Sequence, residues 1–241
     1  MAEWQDPRNV GVNAATVGVP TVARDAGLRS YMLKVYNYMA SGVLLTGIIS
    51  LLFFNSGYAE QVMATPLKWL IILAPLGFVM VMSFGMHRLS TATLQTLFWA
   101  FAGAMGLSMS TIFMVYTGVS IAQTFFAVSA GFLGLSLFGY TTKKDLSGFG
   151  TFLIMGVVGL LVAMLINLFL QSPAMQLAIS AIGVLLFAGL TAYDTQKIKG
   201  MYDQVAGTDM MGKVVIMGAL NLYLDFINMF TFLLSFMGDR R

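Results

Sequence analysis

The segment GALNLYLDFINMF, residues 218–230, places one carboxylate inside an apolar run that belongs to a membrane-spanning helix. Asp225 lies near the middle of this helix, with Asn221 four residues before it and Asn228 three residues after it. Because residues three and four apart share one face of an α-helix, the three polar side chains form a stripe. A polar stripe within a bilayer must face protein or water rather than lipid. We therefore expect this last helix to be packed among the other helices.

The composition of the whole chain is that of an integral membrane protein. Of its 241 residues, 58% are hydrophobic and only 10% are charged, whereas soluble domains are about one quarter charged. Seven stretches are long and apolar enough to cross a bilayer: residues 33–55, 68–87, 93–116, 119–140, 149–170, 174–196 and 214–237. We predict an all-α integral membrane protein with a seven-helix transmembrane domain over residues 32–241. Residues 1–31 are predicted to form a polar, disordered cytoplasmic tail, and residues 197–213 a loop.

Several classes of site are excluded by residue type alone. The chain has no Cys, so it can form neither a disulfide nor a metal–thiolate centre. Its single histidine, His87, cannot build a multi-histidine metal site. The net charge of +3 gives no support for nucleic-acid binding. We therefore predict an ion-handling protein rather than an enzyme, without a bound cofactor and without a nucleic-acid partner.

The distribution of basic residues predicts the orientation in the membrane. With seven spans, ten of the 13 Lys and Arg residues fall on one side: Arg8, Arg24, Arg29, Lys34, Arg88, Lys143, Lys144, Lys197, Lys199 and Lys213. The other side holds Lys68, Arg240 and Arg241. Because short cytoplasmic loops are enriched in Lys and Arg, we predict a multi-pass membrane protein with its N-terminus in the cytoplasm.

Ionisable residues inside apolar spans are the candidates for function. Asp194 lies near the end of the sixth span, and Asp225 lies within the seventh. These two helices are antiparallel neighbours, so the two carboxylates could approach each other. Two close carboxylates in a medium of low dielectric constant cannot both ionise easily, and they share a proton. Such a pair is a proton switch or a cation site, or else a hydrogen-bonding network that only holds helices together.

A basic residue is predicted at the same end of the bundle as Asp194. Arg88 ends the second span, and an ion pair between Arg88 and Asp194 would lock the second helix against the sixth. Loss of the negative charge of Asp194 in acid would then release the second helix and favour an open state. In the alternative interpretation, Arg88 serves only to orient the protein in the membrane.

Pairs of glycines recur within the predicted helices at spacings that place each pair on one face. Such faces let helices in lipid approach closely, so we predict that these pairs are packing sites: Gly103 and Gly106, Gly131 and Gly134, and Gly156 and Gly159.

Three segments resemble the Bax inhibitor-1 (transmembrane BAX inhibitor motif, or YccA-like) family. The most specific is the LYLDFIN string within residues 218–230, which is similar to the family's C-terminal signature. TAYDTQKIK (191–199) resembles the end of the family's sixth helix, and TTKKDLS (141–147) resembles the loop before its fifth. With the seven apolar spans, the resemblance covers about residues 30–238.

The resemblance implies a fold in which six helices surround a central seventh, and a pH-sensitive calcium leak across the bacterial inner membrane. It implies that Asp194 and Asp225 form a di-aspartyl pH sensor that could also hold calcium transiently. It also implies that Arg88 latches onto Asp194. The partners implied are the lipid bilayer, calcium and protons.

Two other functions compete with a leak channel. The first is a noncatalytic regulator of membrane-protein quality control that modulates a membrane protease, which would then be a partner. The second is an intramembrane aspartyl protease, but Leu222-Tyr223-Leu224-Asp225 lacks the Gly-x-Gly-Asp expected of its second aspartate.

The predicted topology can be tested with reporter fusions after Arg241. An odd number of spans places the C-terminus opposite the cytoplasmic N-terminus, so a reporter that is active only outside the cytoplasm should give a signal there. A cytoplasmic signal after Arg241 would contradict seven full spans and favour a re-entrant last segment.

Overall fold

The structure, a computed structural model, describes residues 21–241, and over this range its regular elements are helices. These helices are α1 (Thr21–Asn55), α2 (Tyr58–Met63), α3 (Leu67–Gly85), α4 (Thr91–Met109), α5 (Thr111–Val115), α6 (Gly118–Thr141), α7 (Ser147–Leu170), α8 (Pro173–Val205) and α9 (Met210–Met237). Seven membrane spans are confirmed, since α1, α3, α6, α7, α8, α9 and the α4–α5 pair are each long and apolar enough to cross a bilayer. The remainder of the predicted tail, residues 1–20, lies outside the described residues.

Two helices are longer than the sequence predicts. α1 begins at Thr21 rather than after residue 31, and α8 continues through most of the predicted 197–213 loop to Val205. With 35 and 33 residues, each is about 50 Å long, well beyond a hydrocarbon core of about 30 Å. The extensions stabilise each other by packing, with the ring centres of Tyr31 on α1 and Tyr202 on α8 5.5 Å apart. Gly207, with a φ of 76°, supplies the turn between α8 and α9.

The projecting parts of α1 and α8 meet in an ion pair. Arg24 on α1 donates from Nε to Oδ1 of Asp203 on α8 at 2.8 Å, and from Nη2 to Oδ2 at 2.5 Å. This contact lies at the end of the bundle that carries the α3–α4, α6–α7 and α8–α9 connections. We call it the basic end, and the opposite end, which holds the last residues of the chain, the C-terminal end.

The last helix is the most enclosed of the seven spans, as its polar stripe predicts. In α9, 72% of the most apolar stretch is buried, against 33% or less in every other span. α9 packs against α1, α4, α6 and α8, whereas α3 packs on α4 and α7 packs on α8. The arrangement of all six other spans around α9 is therefore not confirmed, because α3 and α7 form an outer layer.

A chain of hydroxyl groups ties α9 to two neighbours. Tyr223 donates its hydroxyl proton to Oγ1 of Thr46 on α1, with the two oxygens 2.7 Å apart. Thr46 in turn donates to the backbone carbonyl oxygen of Ala102 on α4 at 2.9 Å. All three residues are buried, so these hydrogen bonds satisfy polar groups that lipid could not.

The glycine pairs divide into packed and open ones. A Cβ on Gly106 would come within 2.9 Å of the Thr46 carbonyl oxygen, and one on Gly156 within 2.6 Å of Leu186. Gly103 meets Ile49 only at ordinary contact distance, and Gly159 faces open space. For the pair Gly131 and Gly134 the packing prediction is wrong, since nothing lies within 4 Å of either position.

The closest helix approach involves a glycine outside those pairs. A Cβ on Gly139 of α6 would overlap the backbone carbonyl group of Ala192 on α8. Because a backbone atom cannot rotate away as a side chain can, α6 and α8 must separate to admit any larger residue. Gly139 thus sets the spacing between α6 and α8 at Ala192, which lies two residues before Asp194 in α8.

Replacing Gly139 by Ala should destabilise the protein by about 1–3 kcal/mol, the usual range for inserting a methyl group into a filled site. Gly134→Ala on the same helix is the matched control, and it should be neutral or slightly stabilising because Ala favours helix by up to about 1 kcal/mol. Thermal unfolding of both variants in detergent, followed by tryptophan fluorescence, measures the difference. Equal stability of the two variants would show that α6 and α8 do not pack as described.

Candidate functional site

The structure brings the two predicted carboxylates together. α8 and α9 run antiparallel, joined by residues 206–209, and they form the most extensive helix–helix contact of the bundle. Across this contact the carboxyl groups of Asp194 and Asp225 lie within hydrogen-bonding reach of each other. Elsewhere in the same interface the described polar contacts are made by neutral side chains, such as the hydrogen bond from Ser180 on α8 to Ser235 on α9 at 3.1 Å.

The two carboxyl groups differ in their access to solvent. Asp225 is 4% exposed, and its Oδ2 is buried without a hydrogen-bond partner among the described residues. Asp194 is partly buried and lies further toward the basic end of the bundle. Asp194 is therefore the more accessible of the two carboxyl groups.

The positive charge that acts on the pair comes from Lys197. It follows Asp194 by three residues on the same helix face, and its charge acts on the Asp194 carboxylate. The Lys197 ammonium group also lies 5.9 Å from the centre of the Tyr193 ring. The sequence analysis did not single out Lys197, although its spacing from Asp194 was the available signal.

The predicted contact between Arg88 and Asp194 is absent from this structure. Arg88 lies in the α3–α4 connection with an exposed side chain, and within residues 21–241 it forms no ion pair with Asp194. The physical reason is the packing of α3, which contacts α4 rather than α8 and therefore ends away from Asp194. The sequence placed Arg88 at the correct end of the bundle but could not place it beside a particular helix.

The two asparagines of the polar stripe do not hydrogen-bond to Asp225 in the structure described. Asn228 donates its amide to the backbone carbonyl oxygen of Leu224, one turn earlier in α9, at 2.8 Å. Asn221 is partly buried. The two asparagines were predicted to support the carboxyl pair as a polar face, but in the described structure they make no direct hydrogen bond to it.

The loop before α7 is docked beside Asp194, a feature that the sequence analysis missed. Gln196 on α8 accepts from the Leu146 amide at 2.9 Å and donates to the Lys144 carbonyl oxygen at 2.8 Å. In the same loop, hydrogen bonds from the Ser147 side chain and backbone hold the pKa of Asp145 below its usual range. Asp145 therefore stays ionised near neutral pH, and its charge does not change with that of the carboxyl pair.

The carboxyl pair could contact a divalent cation only briefly. Calcium takes about six to eight oxygen ligands, and two carboxylates supply at most four. Among the described residues, no group of three or more His, Cys, Asp or Glu side chains could hold a metal ion. The chemistry of the pair suits transient contact with a cation, together with the uptake and release of a proton.

Comparisons with known proteins place the chain in one family. The family model described as "Inhibitor of apoptosis-promoting Bax1" matches residues 28–241. A protein of Rickettsia prowazekii is 48% identical over 90% of this chain and 92% of its own length. The inner membrane protein YbhL of Escherichia coli K12 is 45% identical over 90% of this chain and 94% of its own length. A Caulobacter vibrioides protein is 44% identical, over 90% and 91% of the two lengths.

The family match over residues 28–241 confirms the resemblance, which the sequence predicted over about residues 30–238. The chain is a multi-pass membrane protein and belongs to the Bax inhibitor-1 family.

Proposed function

We propose that this protein is a pH-sensitive calcium leak channel of the bacterial inner membrane, and that the Asp194–Asp225 pair senses pH. The observation that carries the proposal is the buried contact between these two carboxyl groups at the main interface of the bundle. A structural hydrogen bond could be made by two neutral side chains at lower cost in free energy. A pair of ionisable groups is required only if its charge changes.

The Asp194–Asp225 pair has three protonation states. With two protons the pair is neutral, and with one proton it forms a hydrogen bond between a carboxyl group and a carboxylate, which is short and strong. With no proton, two negative charges repel each other in a medium of low dielectric constant. The states belong to the pair rather than to either residue, so the pair titrates as a unit.

A change of state at the pair acts on the helices that carry it. The two carboxyl groups are part of the α8–α9 contact, and α9 also contacts α1, α4 and α6. Gain or loss of the shared proton changes the free energy of the α8–α9 contact. A bias of about 1.4 kcal/mol is enough to change the ratio of closed to open states tenfold.

The direction of access follows from the proposed orientation. If the basic end faces the cytoplasm, as the distribution of Lys and Arg favours, Asp194 lies toward the cytoplasmic side and samples its pH. The name of the E. coli relative, inner membrane protein, supports this membrane as the location. Calcium, the ion that the family resemblance implies, would pass through the open state of the channel and would not be a resident cofactor.

Asp225→Asn should fold and should lose the pH dependence of calcium flux, because the amide keeps the shape of the carboxyl group and cannot ionise. The measurement is the initial rate of calcium entry into liposomes containing the purified protein and a trapped calcium dye, from acidic to alkaline pH. Asp209→Asn, which changes an exposed carboxylate in the α8–α9 connection, is the matched control and should keep the parent profile.

Two results would count against this proposal in different ways. If Asp225→Asn kept the parent's pH profile, the sensor would lie elsewhere and the pair would be structural. If the parent itself conducted no calcium at any pH, the alternative of a noncatalytic regulator of membrane-protein quality control would be favoured.

The charge of Lys197 should set the pH at which flux changes. Lys197→Gln removes a positive charge that favours ionised Asp194, so the midpoint of the flux profile should move to higher pH by about half a unit. Arg88→Gln should leave the midpoint unchanged, because Arg88 does not contact Asp194 in this structure. A leak at alkaline pH in Arg88→Gln alone would instead show that the latch forms in another state of the protein.

A further inference from the structure

A lateral groove separates two helices that both pack on the buried α9. α1 and α6 each contact α9, but α1 and α6 do not form an extensive interface with each other. Cavities lie between them instead. The floor of this space is formed by Phe226 of α9, the residue that follows Asp225. Phe226 faces the gap, whereas Asp225 faces α8, so the gap is distinct from the carboxyl pair.

Three cavities lie in a row along this gap. The first, of about 350 Å³, lies toward the basic end and is lined by Arg29. The second, of about 380 Å³, shares Tyr36 and Leu133 with the first. The third, of about 300 Å³, shares Val43 and Phe125 with the second. Because they share lining residues, the three form one passage, which we call the α1–α6 groove.

The α1–α6 groove spans the thickness of a bilayer core. Its lining on α6 runs from Tyr140 to Gly118, a distance of about 33 Å at 1.5 Å per residue, and the hydrocarbon core is about 30 Å thick. Large apolar side chains on its walls are exposed, among them Leu133 at 68% and Leu44 at 64%. The groove is therefore open sideways to lipid.

The size of the groove favours a lipid acyl chain, rather than an α-helix, as its occupant. A helix is about 10 Å across with its side chains, so 33 Å of helix occupies on the order of 2,600 Å³. The three cavities together hold about 1,000 Å³ over that length. An extended acyl chain fits this narrow, apolar shape, and a transmembrane helix of a partner does not.

The mouth of the groove at the basic end carries an available positive charge. Arg29 is exposed and forms no ion pair with any residue of the 21–241 range. Two nearby cations are already engaged: Arg24 with Asp203, and Lys199 with the carbonyl oxygen of Tyr140 at 2.7 Å. A guanidinium group can bind two phosphate oxygens at once, and tyrosines such as Tyr140 favour the headgroup level of a membrane.

We propose that the α1–α6 groove binds an anionic phospholipid of the leaflet at the basic end. The phosphate pairs with Arg29, and one acyl chain runs past Tyr36 and Leu133 toward Phe125. The lipid thus fills the lateral opening beside α9. This proposal is independent of calcium conduction, because the groove and the carboxyl pair lie on different sides of α9.

The test uses native mass spectrometry of the purified full chain in detergent. It compares phosphatidylglycerol with phosphatidylcholine of identical acyl chains. The parent should bind phosphatidylglycerol about tenfold more tightly, as expected for hydrogen bonds to a charged group. Arg29→Gln should reduce this preference to about twofold or less, and Arg29→Lys should keep part of it. Arg88→Gln, an exposed arginine at the same end but outside the groove, is the matched control and should keep the full preference.

A second pair of variants tests the acyl-chain path. Ser129→Trp fills the second cavity and should weaken binding of both lipids several-fold without changing any charge. Leu165→Trp, at an exposed position on α7 outside the groove, should leave binding unchanged. Thermal unfolding confirms that each variant is folded before lipid is added.

Three outcomes would overturn the proposal. Equal binding of the two lipids by the parent would remove the role of the headgroup charge, and an unchanged preference in Arg29→Gln would move the phosphate site elsewhere. Equal effects of Ser129→Trp and Leu165→Trp would show that the acyl chain lies on the general lipid-facing surface and not in the groove.

Discussion

The burial of one carboxyl group in the middle of α9 is the constraint on which the rest of the structure depends. A carboxylate facing hydrocarbon would cost several kcal/mol in free energy, so the helix that carries Asp225 has to be shielded by protein. α1, α4, α6 and α8 provide that shield, and the carboxyl group of Asp194 on α8 lies next to that of Asp225. The asymmetry of the bundle, with a buried α9 and two outer helices, follows from this requirement.

The same helix presents different chemistry to its different neighbours. Asp225 meets α8, where a second carboxyl group allows a proton to be shared. Tyr223 meets α1 and α4 through the Thr46 hydroxyl group. Phe226, which is itself buried, forms the floor of the groove between α1 and α6. The gap can persist because α9 turns its polar groups away from it.

Much of this arrangement could be predicted from residue order. The seven spans, the burial of the last helix and the approach of Asp194 to Asp225 follow from apolar length, polar spacing and the antiparallel order of consecutive helices. Predictions that needed a non-consecutive contact were less successful. Arg88 was placed at the correct end of the bundle but not beside Asp194, because the order of the residues does not say whether α3 also contacts the non-consecutive helix α8.

The sequence by itself determined three things: the seven membrane crossings, the helix that avoids lipid, and the carboxylates that lie inside the membrane. These properties depend on the free energy of transfer of each segment from water to lipid. Only the tertiary structure decided which helices touch. It brought the loop held by Gln196 close to the carboxyl pair, it left Gly134 open while Gly139 is packed, and it opened the α1–α6 groove. The physical reason is that helix packing in lipid depends on close fit between side chains distant in sequence, and transfer free energies of single segments contain no information on that fit.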